Sequence, residues 1–274
     1  MTGFAEELED FLASAPAAAL VEVTSARGST PREQGAWMLV SPAAIHGTIG
    51  GGQLEFLAIA KARELIAANT ASGVMDIPLG PEIGQCCGGR VELGISLVDA
   101  ATRATLHARA AAEDEALPHV YLFGGGHVGH ALARALALLP VRPIVVETRA
   151  EALDGMPAGV EARLTPVPEE SVRGAPPGSA FVVLTHDHAL DFLIVAEALK
   201  RGDAAYVGMI GSKTKRATFR SWYLREAAGS VEAEARLVSP IGGETGDKRP
   251  AVIAALAAAE IMAALAAPRN GTAS

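Results

Sequence analysis

Cys86 and Cys87, the two cysteines of the chain, stand side by side in Gly84-Gln85-Cys86-Cys87-Gly88-Gly89. Consecutive Cα atoms lie about 3.8 Å apart across a trans peptide, and disulfides usually need roughly 4.4 Å or more, so the pair reads as two free thiols. Thiolate sulfur is a soft ligand for a metal such as molybdenum, copper or zinc, and a nucleophile toward persulfide sulfur or an electrophile. Two thiols alone do not close a metal site. The flanking glycines, Gly88 among them, let backbone approach whatever the sulfurs touch. The same residues also read as two small buried hydrophobes, and this segment by itself leaves both readings open.

A second chemical signal is Gly124-Gly125-Gly126-His127-Val128-Gly129. It follows an apolar run at 119–123 and precedes a helical pattern at 128–138, and Gly124, Gly126 and Gly129 satisfy G-x-G-x-x-G. In such a loop the first glycine makes the tight turn, the second admits a pyrophosphate to the backbone, and the third lets helix and strand approach. Glu147 ends the next expected strand, where it would take the ribose hydroxyls of NAD(P). Arg149 would instead meet a phosphate. Both are equally ordinary solvated strand ends, and the glycines equally serve only to pack the helix on the sheet. His127 and His130 lie near the loop, as ligand contacts or as helix-end hydrogen-bonding residues.

Two further clusters follow expected strands. Thr185-His186-Asp187-His188, with Asp191, could contact a ligand through His186 or Asp187, or hold a metal. Against the metal, residues 186 and 188 point to opposite sides of extended backbone, and Asp187 suits a helix N-cap. Gly208-Met209-Ile210-Gly211-Ser212-Lys213 offers flexible backbone, the Ser212 hydroxyl and a cation to an anionic group, with Gly211 at its centre. Lys213, Lys215, Arg216 and Arg220 make the next helix basic. There is no nucleophile elbow, no G-x-x-x-x-G-K-[ST] loop and no Cys-x-x-Cys pair.

The elements that must position these residues read as follows. Helices are expected at 4–13, 54–68, 100–112, 128–138, 190–200, 213–225 and about 251–266, and strands at 18–23, 37–40, 91–98, 119–123, 143–146, 181–184 and 204–207. Residues 153–179, rich in Pro and Gly, hold at most one short strand. Leu117-Pro118 marks a boundary between an N-terminal domain, 1–115, and a C-terminal domain, 118–274. The fold class is α/β: a Rossmann-like parallel sheet with helices on both faces, beside a smaller N-terminal α+β domain. Half of the 274 residues are apolar, enough for substantial cores. The chain carries 23 basic against 31 acidic residues, a net charge of −8, which argues against nucleic acid as a partner. Acids near the N-terminus, no apolar run of membrane length and two unpaired thiols point to a soluble, cytoplasmic protein.

Taken together the segments resemble the XdhC/CoxI family, accessory proteins of xanthine dehydrogenase and related molybdenum hydroxylases. The resemblance is carried by Gly28-Ser29-Thr30-Pro31-Arg32, by Gly47-Thr48-Ile49-Gly50-Gly51-Gly52-Gln53-Leu54-Glu55, and by Gln85-Cys86-Cys87-Gly88-Gly89. In the second half it is carried by 123–129, 185–188, 206–212 and Ser239-Pro240-Ile241-Gly242. It implies a chaperone, not an enzyme, that binds molybdenum cofactor (molybdopterin) as cargo. The cargo would be received from a cofactor donor, held while a cysteine desulfurase installs a sulfido ligand, and delivered to apo-xanthine dehydrogenase. On this view Cys86 and Cys87 contact the molybdenum, with Gly51, Gly52, Gln53 and Glu55 close by, and the Gly124–Gly129 loop holds the cofactor's phosphate or a separate nucleotide. The resemblance also implies a homodimer. Near the C-terminus the family tends to read Pro-Glu-Glu-Ile-Ala where this chain has Pro250-Ala251-Val252-Ile253-Ala254, so no role passes to acids there. Two competing classes remain: an NAD(P)-dependent oxidoreductase of a small metabolite, and a metal-dependent hydrolase built on His186, Asp187, His188 and Asp191.

Overall fold

The computed structural model describes residues 4–80 and 88–267, so Cys86 and Cys87 lie outside the described residues. The chain divides into two compact units, one ending at Glu115 and the other starting at Ala116. The fold is α/β. No helix among the described residues is long and apolar enough to cross a membrane.

In the first unit the described residues form an antiparallel sheet in the order β3-β2-β1-β5-β4. Its strands are β1 (Ala19–Arg27), β2 (Trp37–Val40), β3 (Ile45–Gly47), β4 (Ser72–Pro78) and β5 (Arg90–Leu97). Side chains alternate across a strand, and here both faces are covered, which is why all four residues of β2 are buried. Val21, Met38, Val40 and Leu93 pack under α2 (Gly52–Ala68), whose Leu54, Ala58, Ala62 and Leu65 recur at helical spacing. Trp37 and Leu39 point the other way, against Leu8 and Leu12 of α1 (Phe4–Ser14) and Leu106 and Ala110 of α3 (Ala100–Ala116). Asp114 accepts the backbone N–H groups of Phe4 and Ala5 at 3.0 Å each, tying the start of α1 to the end of α3.

The second unit carries a parallel sheet in the order β11-β10-β9-β6-β7-β8. These strands are β6 (His119–Phe123), β7 (Arg142–Glu147), β8 (Glu161–Leu164), β9 (Ala180–Val183), β10 (Tyr206–Met209) and β11 (Leu237–Val238). Counted from β6 this is the doubly wound order 3-2-1-4-5-6, which reverses direction between β6 and β9. Val120 and Leu122 face α4 (His127–Leu136) and α9 (Pro250–Ala266). Tyr121 and Phe123 face α5 (Glu169–Arg173), α6 (His188–Lys200) and α7 (Lys213–Arg225). The weakly patterned stretch 153–179 resolves into β8 and the one-turn α5, and a four-residue helix, α8 (Val231–Glu234), precedes β11.

His46 on β3 sits among Phe4, Phe11 and Trp37, with ring centroids 5.5, 5.7 and 6.3 Å away, and its Nε2 is buried without a hydrogen-bond partner among the described residues. Burial holds its imidazole below the usual value of 6.5, with Glu7 opposing in part. The folded state therefore binds its proton less readily than the unfolded state. Stability from this group is present above 6.5 and is lost as the pH falls below it. Urea unfolding at pH 7.5 and pH 5.5 should show a loss of stability on acidification that His46→Phe reduces.

Candidate cofactor-binding sites

Three glycine-rich segments meet at one end of the first unit. A methyl group added at Gly89 would lie 2.2 Å from the Ser29 carbonyl oxygen and 2.7 Å from that of Arg27, so only glycine fits where the two chains cross. On the other side of the same turn, Gly50 (φ 123°) would drive a methyl to 2.6 Å from Pro31 Cβ. The turn around Gly28 to Arg32 is thus held between Gly89 and the glycine run that opens α2. Leu79 and Gly89 exchange backbone hydrogen bonds with the opposing strand segment: Leu79 N–H donates to Gly89 O, and Gly88 N–H to Leu79 O, both at 2.8 Å. This rung pairs residues that flank, in sequence, the stretch containing Cys86 and Cys87.

The glycine run is fixed from within. Glu55 Oε1 accepts from Thr48 Oγ1 at 2.5 Å, Ile49 N–H at 3.0 Å and Gly51 N–H at 3.1 Å. Glu55, expected beside the cofactor, therefore holds the loop together. Gly50, Gly51 and Gly52 all have positive φ, and among the described residues no atom lies within 4 Å of a methyl placed at Gly51 or Gly88. Gly52 and Gln53 are exposed at the start of α2.

In the second unit a crevice of about 600 Å³ opens at the carboxyl ends of β6, β7 and β9, the reversal point of the sheet. Gly124, Gly126, Glu147, Arg149, His186 and Asp187 all line it. Three of the four loop glycines are required by the fold itself. A methyl at Gly129 would sit 2.0 Å from Gly124 O, at Gly125 2.2 Å from Ala152 O, and at Gly124 2.7 Å from Leu184 O. Gly126 differs: a methyl there meets only the His186 ring, at 3.2 Å, on the crevice side, and α4 starts there without a side-chain cap. His127 is exposed at the first position of α4, and His130 Nε2 lies 3.1 Å from Ala152 O.

Glu147 is 6% exposed and its oxygens are heavily engaged. Oε2 accepts from Gly125 N–H at 2.9 Å and Arg149 Nη2 at 3.2 Å; Oε1 accepts from Thr148 N–H at 2.8 Å and Arg149 N–H at 3.2 Å, with Thr148 Oγ1 also at 3.2 Å. Burial opposes ionisation, but the Arg149 guanidinium and the N–H groups of Gly125 and Thr148 outweigh it and hold the carboxyl at about 2. The residue expected to read a ribose diol is committed to the loop and to Arg149.

The remaining expected residues have structural partners. Asp187 caps α6, accepting from Ala189 N–H at 2.8 Å and Leu190 N–H at 3.3 Å, and Ser212 caps α7, accepting from Lys215 N–H at 3.2 Å. Gly211 has φ 152°, and a methyl added there would lie 2.6 Å from Lys215 Cδ. Asp191, fully buried, pairs with Lys215 and accepts from Thr185 Oγ1 at 2.6 Å. Lys215 also donates to Ile210 O at 3.1 Å. This pair, which the spacing of the sequence did not announce, locks the loop after β9 to the loop after β10. Asp191 faces Lys215, and among the described residues no three His, Cys, Asp or Glu side chains come together to hold a metal.

A G-x-G-x-x-G loop at the reversal point of a 3-2-1-4-5-6 sheet defines the second unit as a Rossmann domain, here preceded by a glycine-rich antiparallel unit. Residues 120–261 match the XdhC Rossmann domain and residues 11–77 match the XdhC and CoxI family. The chain belongs to the XdhC/CoxI family. It is 28% identical over 256 residues to an uncharacterized protein of Escherichia coli K12, YqeB, covering 89% of this chain and 43% of that protein, so it spans less than half the length of that relative. A crystal structure described as a xanthine dehydrogenase from Bacillus halodurans shares the fold, with a TM-score of 0.78, 96% of each chain covered and 17% identity.

Two outcomes test this geometry. Gly129→Ala should destabilise the second unit by about 1–3 kcal/mol through overpacking, whereas Gly126→Ala should cost less, as thermal denaturation would report. Lys215→Met strands a buried carboxylate and should cost about 3–5 kcal/mol; the double change with Asp191→Leu should recover much of that loss.

Proposed function

We propose that this chain binds molybdenum cofactor, protects it while a cysteine desulfurase exchanges an oxo for a sulfido ligand, and delivers it to apo-xanthine dehydrogenase. The observation that carries the reading is the meeting of the 28–32 turn, the Gly50-Gly51-Gly52 run and Gly88-Gly89, which directly follow Cys86 and Cys87 in the sequence. Backbone without side chains at Gly51 and Gly88 lets a flat, polar pterin approach closely, and adjacent thiols supply soft ligands to molybdenum or its sulfur. The Gly126 end of the crevice suits the cofactor's phosphate or a nucleotide. Family membership supports the dehydrogenase as partner; a cytoplasmic homodimer that receives the cargo from a donor protein completes the proposal. The oxidoreductase alternative needs free acceptors for a ribose diol, and those of Glu147 are engaged.

The test is to mix purified protein with molybdenum cofactor, recover the complex by gel filtration, measure its molybdenum and add it to apo-xanthine dehydrogenase. Retention and activation are expected, with Cys86→Ala or Cys87→Ala losing most of both. Full retention and activation by each cysteine variant would remove the thiols from the site. Turnover of NADH with a small metabolite, without cofactor retention, would overturn the proposal.

Gly126→Asp should weaken cofactor binding by placing a carboxylate against the phosphate position. Unchanged binding in the same gel-filtration measurement would move the phosphate elsewhere.

A further inference from the structure

The antiparallel sheet of the first unit has two edges, and they differ. β3 offers three residues, whereas β4 runs for seven, in unbroken register on β5 from Ser72 to Pro78. Soluble proteins ordinarily blunt an edge strand by brevity, a bulge, a lysine or a proline within it. β4 has none of these before Pro78, its last residue. Its one charged side chain, Asp76, is paired with Arg90 of β5, whose Nε and Nη2 lie 2.7 and 2.6 Å from the carboxylate oxygens. At the centre of the strand Val74 is 69% exposed.

The ladder decides which main-chain groups are open. Leu97 N–H donates to Ala71 O at 2.9 Å and Leu79 N–H to Gly89 O at 2.8 Å, so the odd-numbered residues bond to β5. Alternate residues of an antiparallel strand face the same neighbour, so the N–H and C=O groups of Ser72, Val74 and Asp76 point out of the sheet. Among the described residues these groups have no hydrogen-bond partner. The side chains of Ser72, Val74 and Asp76 share the exposed face, while Met75 and Ile77 pack toward α2.

The sequence of this edge is complementary to itself in one register. A two-fold axis at Val74 sets Val74 of one protomer against Val74 of its partner, and Ser72 against Asp76. Every open N–H and C=O group is then used, the valines form an apolar cross-strand pair, and the Ser72 hydroxyl donates to the opposing carboxylate. The other axes are poorer. An axis at Asp76 opposes two carboxylates, one at Met75 sets Ser72 against Pro78, which has no N–H, and one at Gly73 runs Asp76 past the start of the strand.

We propose that β4 is the surface on which two copies of this chain associate, pairing antiparallel about Val74 so that their two five-stranded sheets join into one. The inference rests on the homodimer reading above and names its interface; it does not depend on the cargo.

The test is sedimentation equilibrium of the full chain, where a dimer is expected. Val74→Pro removes an N–H that faces away from β5, and by symmetry deletes two bonds of the interface, so it should weaken dimerisation by about a hundredfold. Val74→Lys opposes two ammonium groups across the axis and carries the test if the proline variant fails to fold. Cross-linking fixes the register. Residues opposed as a hydrogen-bonded pair have Cα atoms about 5.5 Å apart, within disulfide range, so Val74→Cys in a Cys86→Ala, Cys87→Ala background should form a covalent dimer on mild oxidation. Ser72→Cys in the same background should not, because its counterpart lies four residues along the opposing strand. A monomeric unaltered chain would overturn both this surface and the homodimer. A dimer that survives Val74→Pro and Val74→Lys, or one that cross-links through position 72 and not 74, would overturn the surface alone.

Discussion

At several chain crossings in this protein backbone meets backbone with no room for a methyl group. Gly89 lies on the Ser29 carbonyl, Gly129 on that of Gly124, and Gly125 on that of Ala152. A Cβ at 2.0 to 2.2 Å from an oxygen is far inside van der Waals contact, so each crossing excludes every other residue type and sets the path of the loop it joins. The two candidate sites both follow from this constraint. In the first unit it gathers the 28–32 turn, the glycine run and Gly89; in the second it brings α4 down onto the sheet so that Gly126 borders the crevice.

Around these crossings, carboxylates do the fastening. Glu55 gathers the donors of the glycine run, Glu147 those of the Rossmann loop, and Asp191 those of the loops after β9 and β10. Each is a residue type that invites a ligand-binding or catalytic reading. Their hydrogen bonds instead go to neighbouring backbone or to a paired cation, which gives loops poor in side chains a defined shape. Held in this way, a loop presents its N–H groups with less ordering left to do on binding.

The regular elements were legible wherever periodicity was strong. The run 119–123 matches β6 and the basic stretch 213–225 matches α7 residue for residue. The failures are short or at sheet edges. β4 contains Gly73 and ends at Pro78, and much of it faces solvent, so its pattern lacks the apolar alternation of a half-buried strand. β3, α5 and β11 are too brief for a period to register. At the site, the spacing of Gly124, Gly126 and Gly129 was readable, and so was Asp187 as an N-cap. The engagement of Glu147 was not, because it depends on which way Arg149 turns. The Asp191–Lys215 pair spans two strand-to-helix connections and exists only in the tertiary structure.

The position of α9 in the sequence has its own consequence. Its Ala254, Ala257, Ala258 and Ile261 form one wall of the layer beneath Val120 and Leu122. During synthesis that layer lacks a wall until residues 250–266 have left the ribosome, whereas the 4–115 unit by then has every element its two layers require. Until then only α4 covers Val120 and Leu122, so the antiparallel unit has its elements complete before the Rossmann layer does.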